Sequence, residues 1–146
     1  MRCAIADYAP TAANIQATST SVLNKDRLAG ETITAGQTLY FKSSDSRWWK
    51  AANNSTAEVA GSVDYGIAMN GGAAGQPMIV CTGGDLTYGA TGTVGDVAII
   101  SATSGGAAPI ADISTNRLTI LGVFTTGTNL KMSRPSGYGG ALATHG

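Results

Sequence analysis

The amino-acid sequence predicts an all-β fold: a small antiparallel β-sandwich or barrel with an extended N-terminal arm. Three observations predict it. Short runs of β-branched, aromatic and aliphatic residues recur along the chain, and clusters of Gly, Asn, Asp and Ser separate them. The 146 residues include 20 glycines, a residue poor in helices and in strand interiors and at home in turns. No stretch sustains helical periodicity. Many short strands joined by tight turns bury their apolar faces only by stacking two sheets or by closing one sheet on itself.

The elements follow in order. Residues 1–28 differ from the rest: Pro10, a polar run at residues 18–21 and scattered apolar residues Ile5, Tyr8, Ile15, Val22 and Leu23 follow neither period. This segment reads as an extended arm that docks on something and leads into a strand near Val22. A β domain then spans 29–134. Within it, residues 37–42 and 47–52 form a hairpin about the turn 43–46. Residues 53–58 make a polar crossing, with a short helical turn allowed around 55–60.

Residues 63–69 read as a strand with a bulge at Gly66, and residues 76–82 as a strong strand opened by Pro77. Gly83-Gly84-Asp85 reads as a turn into a separate short strand, Leu86-Thr87-Tyr88. Residues 96–101, 118–124 and 129–132 complete the set, and 135–146 is a Gly-rich tail. Ala-Gly before a strand recurs at Gly30, Gly36 and Gly75. The echo does not persist as a repeat, so it records one turn-into-strand device used three times.

Composition narrows the function classes. Leu, Ile, Val and Phe total 27 of 146 residues, which makes a thin core. Burial between subunits would extend such a core. Nine basic residues balance nine acidic ones, leaving no electrostatic footprint for nucleic acid or an anionic membrane. No apolar run approaches a membrane span and no secretory leader is apparent, so the chain is expected to be made and kept in the cytoplasm. Cys3 and Cys81 do not make a disulfide framework.

No catalytic constellation emerges. The single histidine, His145, sits on the glycine-rich tail, where nothing holds it as a general base. Zinc-ligand spacing is absent, and the loop 83–92 lacks the Lys-Ser/Thr ending of a phosphate cradle. Asp45, Asp64, Asp85, Asp96 and Asp112 stand singly beside turns, where a carboxylate caps local backbone N–H groups. The expectation is a protein without catalysis, cofactor or metal.

Trp48-Trp49 is the most conspicuous aromatic feature. Neighbours on a strand face opposite sides, so one ring enters the core and the other faces out. The outward ring suits a subunit contact or, alternatively, a sugar platform.

The order of these motifs resembles a family of small capsid cement (head decoration) proteins of tailed phages. The phrases that carry the resemblance are Ala29-Gly30-Glu31, then Ile33 to Tyr40, then Arg47 to Ala52. They continue with Gly66-Ile67-Ala68-Met69, residues 74–80, residues 95–101, residues 105–109 and Leu121-Gly122-Val123. The likeness covers about Ala29 to Met132. It implies a protein on the outside of an icosahedral head, bound to the major capsid protein and usually a homotrimer. On that reading the arm residues Ile5, Tyr8, Ile15, Val22 and Leu23 would bind the capsid, and Trp48 and Trp49 would contact a subunit or the shell. The alternative class is a tail, fibre or adhesin module that binds carbohydrate.

Overall fold

The computed structural model describes residues 7–112, 116–132 and 141–142. The strands are β1 (Gln16–Ala17), β2 (Val22–Ala29), β3 (Thr38–Lys42), β4 (Arg47–Lys50), β5 (Tyr65–Ala68) and β6 (Pro77–Thr87). They continue as β7 (Val97–Ile100), β8 (Ala107–Pro109), β9 (Arg117–Leu118), β10 (Ile120–Phe124), β11 (Asn129–Met132) and β12 (Ala141–Leu142). Two single 3-10 turns, Ala12–Asn14 and Ile110–Asp112, are the only helical elements among the described residues. The fold is an all-β sandwich.

Five strands form a closed ring. β2 pairs with β6, β6 with β5, β5 with β3 and β3 with β4, all antiparallel. β4 then returns to the end of β2 in parallel, Leu28 facing Arg47 and Ala29 facing Trp48. Each strand of the ring sends a side chain inward: Ala29, Leu39, Trp48, Ala68, Met78 and Val80 make one fully buried cluster. Closure removes most of the sheet edge that would otherwise invite foreign strands. On β2 the register against β6 shifts between Val22 and Leu23 and again between Asn24 and Arg27, where Lys25 and Asp26 are exposed.

A second sheet grows from the same β6. Beyond Gly83 the strand leaves the ring and pairs with β11, which continues through β10 and β7 to β8. The period of two divides the ring strands between two cores. Tyr40, Tyr65, Ile67 and Cys81 point out of the ring and meet Leu86, Ile100, Leu121, Phe124 and Leu130 of the second sheet. β6 therefore belongs to both layers.

This corrects the expected turn at Gly83-Gly84-Asp85. The chain runs straight through as one 11-residue strand, because Gly84 bends it at φ +72° without reversing it. A Cβ there would collide with the Thr20 carbonyl, so the glycine also admits the 18–21 turn against the strand. Gly66 forms no bulge and stands in regular register opposite Leu39. The short helical turn allowed near 55–60 is a single turn, in which the Ala60 N–H donates to the Thr56 carbonyl (3.1 Å), and it does not extend into a helix. β8 was not anticipated, since Ala-Ala-Pro carries no β-branched signal. The strand expected at 118–124 breaks at buried Thr119, whose hydroxyl donates to the Ala60 carbonyl.

The boundary expected between residues 28 and 29 is also corrected. It falls inside β2, an eight-residue strand of the ring. Residues 7–17 are not a detached arm but a strap over their own domain: the Tyr8 N–H donates to the Ala107 carbonyl (2.8 Å), the Thr11 N–H to that of Gly89 (2.9 Å), and β1 pairs with Leu86 and Thr87. In the expected C-terminal tail, Ala141–Leu142 pairs with β9. Ile5, Cys3 and His145 lie outside the described residues.

Candidate functional site

The two tryptophans occupy different environments, as strand alternation requires. Trp48 is fully buried inside the ring, with Phe41 edge-on at 5.9 Å between centroids. Arg27 covers this pair, its guanidinium 3.9 Å from the Phe41 ring and 5.1 Å from Trp48, and is held by Asp64 at 2.8 Å. The Trp48 indole Nε1 is buried without a hydrogen-bond partner. As a subunit or capsid contact Trp48 is therefore corrected: the ring closes around it and leaves it no surface.

Trp49 is half-buried on the outer face, yet its surface is already occupied. Its Nε1 donates to Asp45 Oδ2 at 3.0 Å, and the Lys42 ammonium sits 4.4 Å from the ring centroid. Gly30 lies against the pyrrole ring so closely that a Cβ there would overlap it. β4 runs between β2 and β3, so Gly30 and Lys42 close on the indole from the two flanking strands. Asp45 is itself fixed, because its Oδ1 accepts from the Arg47 N–H (3.1 Å) across the 43–46 turn. An indole enclosed in this way is a poor stacking platform for a sugar.

The expected arm residues separate in the same manner. Tyr8 packs its ring on Phe124 (5.0 Å) and Tyr88 (6.2 Å) and donates its hydroxyl to Asp96 Oδ2 at 3.3 Å. Burial, then the Asp96 carboxylate, pushes the Tyr8 phenol well above the ordinary tyrosine range. Ile15 is buried in the inter-sheet core and Leu23 packs half-buried against it. Of the four described residues, only Val22 presents its side chain outward, at 56% exposure. Tyr8, Ile15 and Leu23 thus spend their apolar surface within their own domain.

Residues whose sequence pattern named no partner hold the strap in place. Pro10 fits against Gly36, whose φ is +95°. Thr18 and Ser21 donate their hydroxyls to the Asp85 carbonyl, and Thr20 donates to the Asp85 carboxylate at 3.0 Å. The Ser101 hydroxyl donates to Asp7 Oδ2 at 2.8 Å. Single polar contacts of this kind have no period, so no pattern search would find them.

Between strap and second sheet lies a cleft of about 490 Å³. Thr11 and Asn14 of the strap, Thr87 and Ala90 of the floor, and Thr91 and Thr128 opposite line it. Every residue that lines it is small and uncharged. Among the described residues, no three of His, Cys, Asp and Glu stand close enough to hold a metal ion. Among them, too, no helix is long and apolar enough to cross a membrane.

The geometry thus defines a class: an all-β sandwich, one layer of which closes into a ring, with its conspicuous aromatics committed to internal packing. Comparison of the chain with protein-family models, with curated proteins and with solved structures returned no match.

Proposed function

We propose that this chain is a structural cement protein of a tailed-phage head, which binds the outside of the assembled shell, as a homotrimer, and bridges major capsid protein subunits. The observation that carries the reading is the order of turn-into-strand phrases from Ala29 to Met132. In four of these phrases a glycine at positive φ stands two residues before a strand: Gly36 before β3, Gly75 before β6, Gly95 before β7 and Gly105 before β8. The likeness therefore falls on residues that shape the backbone.

The physics of cementing agrees with this molecule. A ligand that binds only the assembled shell stabilises assembly by mass action and needs no chemistry of its own. Three copies about a symmetry axis engage three shell sites together, so modest contacts add by avidity. The closed ring offers few free strand edges for pairing with a wrong strand. The carbohydrate-binding alternative drew on an open tryptophan face, and Trp49 is closed by Gly30, Lys42 and Asp45.

The test is sedimentation of expanded heads that lack this protein after mixing with the purified chain. Saturable, stoichiometric co-sedimentation is expected, with a trimer by light scattering at micromolar concentration. Heads that pellet without it would sink the reading.

A further inference from the structure

β5 ends at Ala68, but its pairing with β6 continues through a side chain. The ladder runs from Ile67 opposite Cys81 to Ala68 opposite Val80, and the Met69 N–H still donates to the Ile79 carbonyl (2.8 Å). Past that point the Asn70 carboxamide takes the place of a peptide unit. Its Oδ1 accepts from the Ile79 N–H (2.8 Å), and its Nδ2 donates to the Pro77 carbonyl (3.2 Å). A carboxamide carries an acceptor and a donor on one planar group, as a peptide does, and that is what this position uses. Glycine at 71 has a separate cause. A Cβ there would stand 3.2 Å from the Ile33 carbonyl, where Ile33 and Gly72 exchange N–H···O bonds of 2.8 and 2.9 Å. The fold thus sets Asn directly before Gly, and no other asparagine of the chain precedes a glycine.

That pair is chemically labile. The Gly71 nitrogen attacks the Asn70 carboxamide carbon with no Cβ on its own residue to hinder the approach. The new C–N bond closes a five-membered succinimide, and Nδ2 leaves as ammonia with the proton that the Gly71 nitrogen gives up. Water then opens the ring at either carbonyl, adding hydroxyl to carbon and a proton to nitrogen. Cleavage of the new bond leaves aspartate at position 70. Cleavage of the original peptide bond leaves isoaspartate, whose main chain is one methylene longer. No enzyme, metal or partner takes part.

We infer that Asn70 is a site of spontaneous deamidation, which the fold holds back until the 71–77 loop lifts from β6. The leaving nitrogen is bound to the Pro77 carbonyl, and that bond is lost before ammonia departs. The Ile79 N–H alone would favour the attack by steadying charge on Oδ1, but it acts only while the carboxamide is turned toward β6. The loop is tied down in turn: the Gly75 N–H donates to the Ala29 carbonyl (2.7 Å) and the Ala29 N–H to that of Gln76 (2.9 Å). Local opening must break such bonds together. At ordinary net strength the two carboxamide bonds alone slow the reaction by about tenfold. The product loses what asparagine supplied, since a carboxylate accepts from Ile79 but cannot donate to Pro77. Each modification therefore loosens the loop end of the β5–β6 pair. The chemistry needs no partner, so it holds whatever surface the chain binds.

The experiment incubates the full chain in mildly alkaline buffer, folded and in denaturing guanidinium chloride, and follows each asparagine by peptide mass spectrometry with isoaspartate detection. In guanidinium, Asn70 should react ahead of every other asparagine. In buffer alone its rate should fall at least about tenfold, and by a larger factor than that of Asn54, which is exposed. Gln76→Ala removes the bond from the Ala73 N–H to Gln76 Oε1 (2.8 Å) within the exposed loop, and should raise the folded-state rate about threefold with the circular dichroism unchanged. Another asparagine reacting first in guanidinium overturns the site. A slowing at Asn70 no greater than at Asn54, or a Gln76→Ala rate equal to the parent's, overturns the gating by the loop.

Discussion

Gly84→Ala tests how firmly β6 joins the two layers and the strap to both. Two costs arise at this position. The first is conformational: φ is +72°, where an L-residue is disfavoured by about 1–2 kcal/mol. The lower entropy of the unfolded alanine chain returns about 0.4–1 kcal/mol of that. The second is steric, because the new Cβ would overlap the Thr20 carbonyl, and backbone rather than a side-chain tip must move. Displacing a well-packed neighbour costs about 1–3 kcal/mol. Together these predict a loss of about 2–4 kcal/mol.

Gly75→Ala isolates the first cost. Gly75 has φ +88°, and nothing lies within 4 Å of its added Cβ. It should lose only about 1 kcal/mol. Urea denaturation of both variants beside the parent measures the difference, with an unchanged slope showing that two-state unfolding persists. The Gly84 variant should exceed the Gly75 variant by at least about 1 kcal/mol. Equal losses would refute the reasoning, since the 18–21 turn would then yield to β6 at no cost. The strap could not in that case be an integral part of the domain.

The other predictions concern aromatic residues. Trp48→Ala should cost about 3–5 kcal/mol, because it empties the ring, while Trp49→Ala on the half-exposed face should cost clearly less; denaturation midpoints in the reverse order would invert the assigned sides of β4. Tyr8 and Tyr88 are both raised above the usual tyrosine pKa near 10, chiefly by burial, so each favours the folded state fully below that pH. As pH rises past about 10 the unfolded chain releases protons that the folded one retains, and stability falls. Absorbance titration should show both phenols ionising late and together with unfolding. Early, reversible ionisation of all five tyrosines with the fold intact would contradict the burial of these two.

The legible part of this fold is its local alternation. The runs 37–42 and 47–52 become β3 and β4 within a residue or two, with the turn between them at 43–46. β-branched and aromatic runs bounded by turn residues are local signals, and local chemistry decides them. Gly83-Gly84-Asp85 misleads for the same reason. Its composition matches a chain reversal, yet the same glycines also serve a strand that must bend between two sheets. Only the partners on either side, β2 and β5 before Gly84 and β11 after it, distinguish the cases.

The candidate surface was less legible. Trp48-Trp49 attracts attention by size, and both rings prove to be committed within the domain. The cleft between strap and second sheet is lined chiefly by threonines, alanines and a glycine that carry no motif. Its coherence appears only when loops some eighty residues apart are hydrogen-bonded together. Likewise, Tyr8 and Ile15 are visible as apolar residues on an irregular segment. Their destination, Tyr8 against Phe124 and Tyr88 and Ile15 in the inter-sheet core, rather than on another molecule, depends on contacts far away in the chain.

By itself, then, the sequence determined that this is an all-β chain and that Trp48 and Trp49 lie on opposite sides of one strand. A period of two is set by backbone geometry and needs no partner. The tertiary structure decided which side is inside, because flipping a strand leaves its pattern intact, and only ring closure through β2, β4 and β6 fixes the interior. It also decided that the strap belongs to the domain: docking depends on the balance of burial against ordering over distant contacts, and no local pattern records that balance.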